Sequence, residues 1–190
     1  MNQLEAINKI LPFMGEDPVS SIDESFNPTV GRIKAALDDA VEGLLHRGLW
    51  FNRRTQQFLP NSSNRIPVPS GIMDIRSVDG RVLTQRGQNL FDMDNGTDIF
   101  TEPVVLTFND ILEWDDIPGI CQEQATWEAA IQCYSADTGV DSTVQILQQN
   151  LAGVSVAVQR EHLRAKRYNT NKLGSAARIR NSLGGLYARR

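Results

Sequence analysis

Twice along this chain the spacing of apolar residues changes, and those two changes bound what it can fold into. From Val30 through Ile33, Leu37, Val41, Leu44 and Leu45, apolar side chains recur at three- and four-residue intervals. That is the stripe of a helix burying one face. Past Gly48, at Trp50 and Phe51, the helical period is lost, and stretches of two-residue alternation follow as far as Asn109. Near Pro118 the helical period returns. Helices, then a block of strands, then helices again define an α+β protein rather than an alternating α/β one.

The helices carry their own punctuation. Leu4, Ile7, Leu11 and Met14 form a stripe over about Gln3 to Met14, with Pro12 expected to kink or shorten the last turn and Gly15 placed for a left-handed cap. Asn27 suits an N-cap and Pro28 the first helical position of the second helix, which Gly48 ends. A third helix should begin near Asp116 or Pro118 and close at Gly139, with Ile120, Trp127, Ile131 and Tyr134 on a common face. Asp141 or Ser142 caps a last helix, in which Val144, Leu147, Leu151, Val154 and Val158 are spaced as a two-heptad seam.

Between them, Met73 to Val78 alternates, and Asp79-Gly80 is placed to turn the chain back through Arg81 to Thr84 as a hairpin. A second turn at Asn95-Gly96 should separate Asn89–Phe91 from Thr97–Phe100, and Val104 to Phe108 reads as a further strand. Pro60, Pro67, Pro69 and Pro103 confine these strands to edges or interrupt them with loops. The expected architecture is a mainly helical bundle with a small antiparallel β-sheet inserted in it. Residues 1–168 form the main domain, with helices over about 3–48 and 116–168 and the β-rich insertion over about 50–109. An extended basic arm covers 169–190.

Charge sets that arm apart. From Arg160 onward nine Lys or Arg face one acid, Glu161, a net +8, whereas the preceding 159 residues carry ten basic and twenty-two acidic side chains, a net −12. Such segregation fits contact with nucleic acid or with an acidic protein surface, including that of a second copy. Arg178, Arg180, Arg189 and Arg190 are interleaved with Ile179, Leu183, Leu186 and Tyr187. A merely solvated tail does not need those apolar residues, and protein docking uses both kinds, charge for steering and apolar groups for anchoring. No apolar run approaches the roughly 20 residues that cross a bilayer, and no secretory signal is evident at the N-terminus. Cys121 and Cys133 are the only cysteines. On one helix they would stand about 18 Å apart, far beyond the roughly 7 Å between Cα atoms that a disulfide tolerates.

Three constellations invite chemistry. Asp92, Asp94 and Asp98 around Asn95-Gly96 offer oxygen ligands for calcium, but Gly96 is fifth and Pro103 twelfth, the wrong register for an EF-hand loop. A solvated turn is the simpler reading. Glu113, Asp115 and Asp116 surround Trp114 as paired carboxylates do in a glycosidase, yet acids just before a helix are favoured by its dipole alone. His46 and His162 are too scattered for a zinc set, and no phosphate-binding Gly-rich loop or nucleophile elbow occurs. These patterns specify no catalytic residue, no metal and no cofactor.

Two short motifs point to a family. Ala6-Ile7-Asn8-x-Ile10-Leu11, Gly15 and Pro18-Val19 resemble the opening of podovirus tail tubular protein A, and Arg47-Gly48-Leu49-Trp50-Phe51-Asn52 resembles a second stretch of it at the matching place. The resemblance implies a non-enzymatic virion protein of short-tailed phages, made in the host cytoplasm and assembled as a dodecameric adaptor ring. That ring sits between the portal protein and a nozzle protein like tail tubular protein B, and DNA passes through its channel during ejection without specific binding. It implies that the arm, with Arg178, Arg180, Leu183, Leu186, Tyr187, Arg189 and Arg190, contacts the portal, and that Asn52 to Asn109 lies towards the nozzle. The alternatives are a DNA-binding module using the arm, or a cell-wall hydrolase using the acids around Trp114.

Overall fold

The computed structural model describes residues 1–23 and 27–170, with side chains to residue 166. It is α+β, with helices α1 (Gln3–Ile10), α2 (Pro28–His46), α3 (Gly119–Thr138) and α4 (Ser142–Thr170) and strands β1 (Arg53–Phe58), β2 (Ile72–Ser77), β3 (Leu83–Arg86), β4 (Asn89–Asp92) and β5 (Val104–Asp110).

Helix α1 opens with a capping box, in which Asn2 Oδ1 accepts from the Glu5 amide at 2.7 Å and the Asn2 amide donates to Glu5 Oε2 at 3.0 Å. Pro12 cannot extend the α-helical ladder, so the last turn tightens into a 3-10 helix over Leu11–Met14. Gly15, at φ +75°, ends it as a left-handed cap. In α2 the Asn27 side chain accepts from the Thr29 amide at 2.8 Å and Pro28 occupies the first turn. The buried face of α2 is Val30, Ile33, Ala36, Leu37, Ala40, Leu44 and Leu45, each large aliphatic member contributing about 1.5–3 kcal/mol.

Helix α3 departs from the expected single face. Its buried residues, among them Cys121, Gln124, Ala125, Trp127, Ala129, Ala130, Cys133 and Tyr134, encircle the helix, while Ile120 and Ile131 are only partly buried. The small side chains among them, Cys121, Ala125, Ala129, Ala130 and Cys133, let α1, α2 and α4 close on α3 from several sides. The seam of α4 packs within the chain. Val144 and Leu147 join Ile7, Ile33, Leu37 and Trp127 in one cluster, and Val158 joins Leu44, Leu49 and Cys121 in a second. The α4 helix continues through Thr170, so residues 169 and 170, expected to begin the arm, extend the helix instead. Both thiols are free and buried on α3, and burial pushes Cys121 up to about 11 and Cys133 upward as well. Neither is a ready nucleophile.

The β region contains two sheets where one was expected. Strands β1, β5 and β2 form an antiparallel sheet with β5 in the middle, and β3 and β4 form a separate hairpin. The Asp79-Gly80 turn exists, with Gly80 at φ +91°, but it does not close a β2–β3 hairpin. β2 pairs with β5, and β3 pairs with β4 across Gly87-Gln88. The turn instead carries the chain from one sheet to the other, and Leu83 and Leu90 of the hairpin pack on Leu106 and Phe108 of β5. Thr97–Phe100 forms no strand; Thr97 makes one bridge, to Asp92.

Candidate functional site

The two sequence motifs fold into joints. In the first, Asn8 reaches across the turn to Val19, donating from Nδ2 to its carbonyl at 2.9 Å and accepting from its amide at 2.8 Å. Glu16, just past the Gly15 cap, accepts from Asn27 Nδ2 and Thr29 Oγ1, both at 2.6 Å. These two bonds hold its carboxyl below the usual range and pin the entry to α2.

The second motif joins the helices to the sheet. Gly48 adopts φ +61°, and a Cβ there would lie 2.6 Å from Asn109 Oδ1, so only glycine fits. Asn52 is fully buried; its Nδ2 donates to the Leu45 carbonyl at 2.8 Å and the Asp110 carbonyl at 3.3 Å, while its Oδ1 accepts from the Leu49 amide at 2.9 Å. Asn109, from β5, donates to the same Leu45 carbonyl at 3.0 Å and to Asp74 Oδ2 at 3.1 Å. Two buried asparagines therefore satisfy the open carbonyl end of α2, which would otherwise be left without partners. Trp50 stacks edge-on against Phe51 and lies beside His162 of α4. Sequence spacing gave no sign of this Asn52–Asn109 pairing, because its partners lie 57 residues apart.

Beside this joint His46 Nδ1 lies 2.8 Å from Asp74 Oδ2, and Glu42 faces the other ring nitrogen at 3.7 Å. Asp74 holds φ +53° in a bulge between Met73 and Arg76. Its hydrogen bond and charge, with Glu42 adding to them, raise the His46 pKa above 6.5. Burial opposes that rise, and Arg47, Arg53 and Arg76 are the other cationic groups lining the same hollow. A raised histidine pKa stabilises the fold fully below its ordinary value of about 6.5, and that contribution fades as pH climbs through the folded value. Titration followed by NMR should place His46 above the free imidazole, and Asp74→Asn should return it towards that value. An unshifted His46 in the parent protein would remove the ion pair from the joint.

The other candidates of the sequence are accounted for locally. Asp92, only 2% exposed, turns its carboxylate inward to accept from the Asp94 and Asn95 amides and from Asn95 Nδ2, which lowers its pKa. Its oxygens close a turn, and among the described residues no group of three or more His, Cys, Asp or Glu could hold a metal ion. Trp114 Nε1 donates to the Met1 carbonyl at 2.9 Å, and the Trp114 carbonyl accepts from Gln122 Nε2 at 2.8 Å. Asp115 and Asp116 lie in a short 3-10 turn before α3. Glu113 and Trp114 line a groove of about 470 Å³ with Lys34, Asp38, Glu42, Met73 and Ile111. His162 is pushed below its ordinary pKa, first by burial and then by the charges of Lys166 and Arg53. Arg178, Arg180, Leu183, Leu186, Tyr187, Arg189 and Arg190 lie outside the described residues.

Both joints and the fold around them fall within a match to the tail tubular protein family over residues 4–168. The chain belongs to that family and is a structural component of a phage tail. It is 34% identical over 185 residues to tail tubular protein A of Klebsiella phage KP34, a match covering 95% of this chain and 97% of the relative. No described helix is long and apolar enough to cross a membrane.

Proposed function

We propose that the protein is the subunit of an adaptor ring, a dodecamer, seated between portal and tail nozzle, through which the genome leaves the head. The observation that carries this reading is the end-to-end match to a tail tubular protein A, 97% of whose length is covered. A match on that scale takes in the helices, both sheets and the tail rather than one borrowed module. The role is mechanical, with no catalytic group of its own. The arm, residues 171–190, contacts the portal, and the β region faces the nozzle.

The apolar residues Leu183, Leu186 and Tyr187 gain by docking only where a partner surface covers them, so assembly waits for the portal. Native mass spectrometry of the purified protein should then give mainly monomer at micromolar concentration, and mixing with the cognate portal should give one ring of copies per portal. A stable ring without portal would rule out portal-triggered assembly. Failure to join the portal at all would rule out the adaptor reading itself.

A further inference from the structure

The outer face of the three-stranded sheet carries an unbalanced pair of cations. Arg53 on β1 stands opposite Asn109, and Arg76 on β2 stands opposite Thr107, so both lie over the middle strand β5. Side chains alternate across a strand. Thr55, Thr107 and Asn109 accordingly share the face of the two arginines, while Leu106 and Phe108 point into the core on the other. Arg53, Arg76, Thr107 and Asn109 line a hollow of about 90 Å³, closed at one end by His46, Arg47 and Gly48.

The nearby acids are already engaged. Asp74, which also faces the hollow, is bonded by His46 and by Asn109 Nδ2. Glu128 accepts from Arg47 at 3.1 Å. Among the described residues neither Arg53 nor Arg76 has a carboxylate within 4.0 Å, whereas Arg54, on the opposite face, is paired with Asp110 at 2.5 Å. Two arginines lining one small hollow favour an anion between them, since like charges at short range repel. The Thr55 and Thr107 hydroxyls, 3.0 Å apart, share one hydrogen bond. One hydroxyl proton then remains to be donated.

We propose that this hollow binds a phosphate oxyanion, held by Arg53 and Arg76 and by the Thr107 hydroxyl. Planar guanidinium forks match phosphate oxygens, and the charge-assisted bonds they form are the strong ones. The phosphate can be free or part of a nucleic-acid backbone; the chemistry of recognition is the same. The inference does not depend on the adaptor reading.

The test uses the full chain at low ionic strength, with orthophosphate followed by calorimetry and a 20-base-pair duplex followed by fluorescence anisotropy across salt. Saturable binding of at least one probe is expected. Arg53→Gln and Arg76→Gln should each weaken it about tenfold or more, and Arg54→Gln should not. Binding of the duplex with a salt slope that falls by about one in either variant identifies the backbone phosphate as the source. Binding of orthophosphate alone identifies free phosphate. Melting curves of all variants, and partial rescue by Arg53→Lys, separate a lost ligand from a lost fold. No saturable binding of either probe, or binding untouched by Arg53→Gln and Arg76→Gln, overturns the proposal. So does a hollow that, without binding phosphate, controls only self-association, since its anion would then be a carboxylate of another copy.

Discussion

Deletion of Lys172–Arg190 is expected to abolish docking to the portal while leaving the fold unchanged. The described core closes upstream of the cut: Val144, Leu147 and Val158 of α4 are buried against α2 and α3, and both sheets precede them. Circular dichroism and melting temperature should match the parent protein, and pull-down by portal should fail. Two narrower variants divide the arm's work. Replacing Leu183, Leu186 and Tyr187 by Ala should weaken docking at every salt concentration, because anchoring groups act through burial. Neutralising Arg178 and Arg180 should slow association and flatten its salt dependence, since exposed charges mainly steer encounter and are screened over about 10 Å at 0.1 M salt. A truncated protein that joins portals with full affinity would move the docking element into the folded body. If the truncation instead removed binding to duplex DNA, the arm would be a nucleic-acid contact.

The largest stability effect should come from the buried amide at the joint. Asn52→Ala leaves the Leu49 amide without its acceptor, and the Leu45 and Asp110 carbonyls without one of their donors. Stranding buried polar groups in this way costs about 2–4 kcal/mol in total. In a chain of this size that lowers Tm by roughly 5–15 °C. Gln57→Ala, at an exposed position of β1, provides the comparison and should stay within about 0.5 kcal/mol. Urea unfolding of the two variants decides the matter. An Asn52→Ala protein as stable as the Gln57→Ala protein would mean that water replaces the lost bonds and that the joint is looser than its geometry implies.

How far the sequence disclosed this arrangement follows from the range of each interaction. The caps were readable because they are local: Asn27 meets Thr29, Gly15 follows Pro12, and Asp141 accepts from the Thr143 and Val144 amides within one turn. The stripe of α2 was readable because one face meets the core and the other meets water. Helix α3 concealed its faces because neighbours surround it. Strand β1 was hidden by its own composition, Arg-Arg-Thr-Gln-Gln-Phe, which suits an exposed edge and leaves no alternation to find. The Asp79-Gly80 turn was located correctly, yet turn chemistry sets where a chain bends and not which strand it will pair with. That choice was made by β5, whose Leu106 and Phe108 need cover on the inner face. The joint asparagines, the Arg53–Arg76 pair and the His46–Asp74 contact all depend on distant segments meeting. No local pattern announces them.

The bond from the Asp110 amide to the Asn52 carbonyl, at 2.7 Å, has an evolutionary consequence. The polypeptide leaves the helices and returns to them through one doorway, so everything between is a cassette whose two ends are already fastened. Lengthening or replacing such a cassette changes closure entropy only slowly with its length, about 0.6 kcal/mol for each doubling. Related phages could thus exchange what lies between residues 52 and 110 to suit a different distal partner while keeping the same helical frame. In such exchanges Gly48, Asn52 and Asn109 would be the residues that have to travel together.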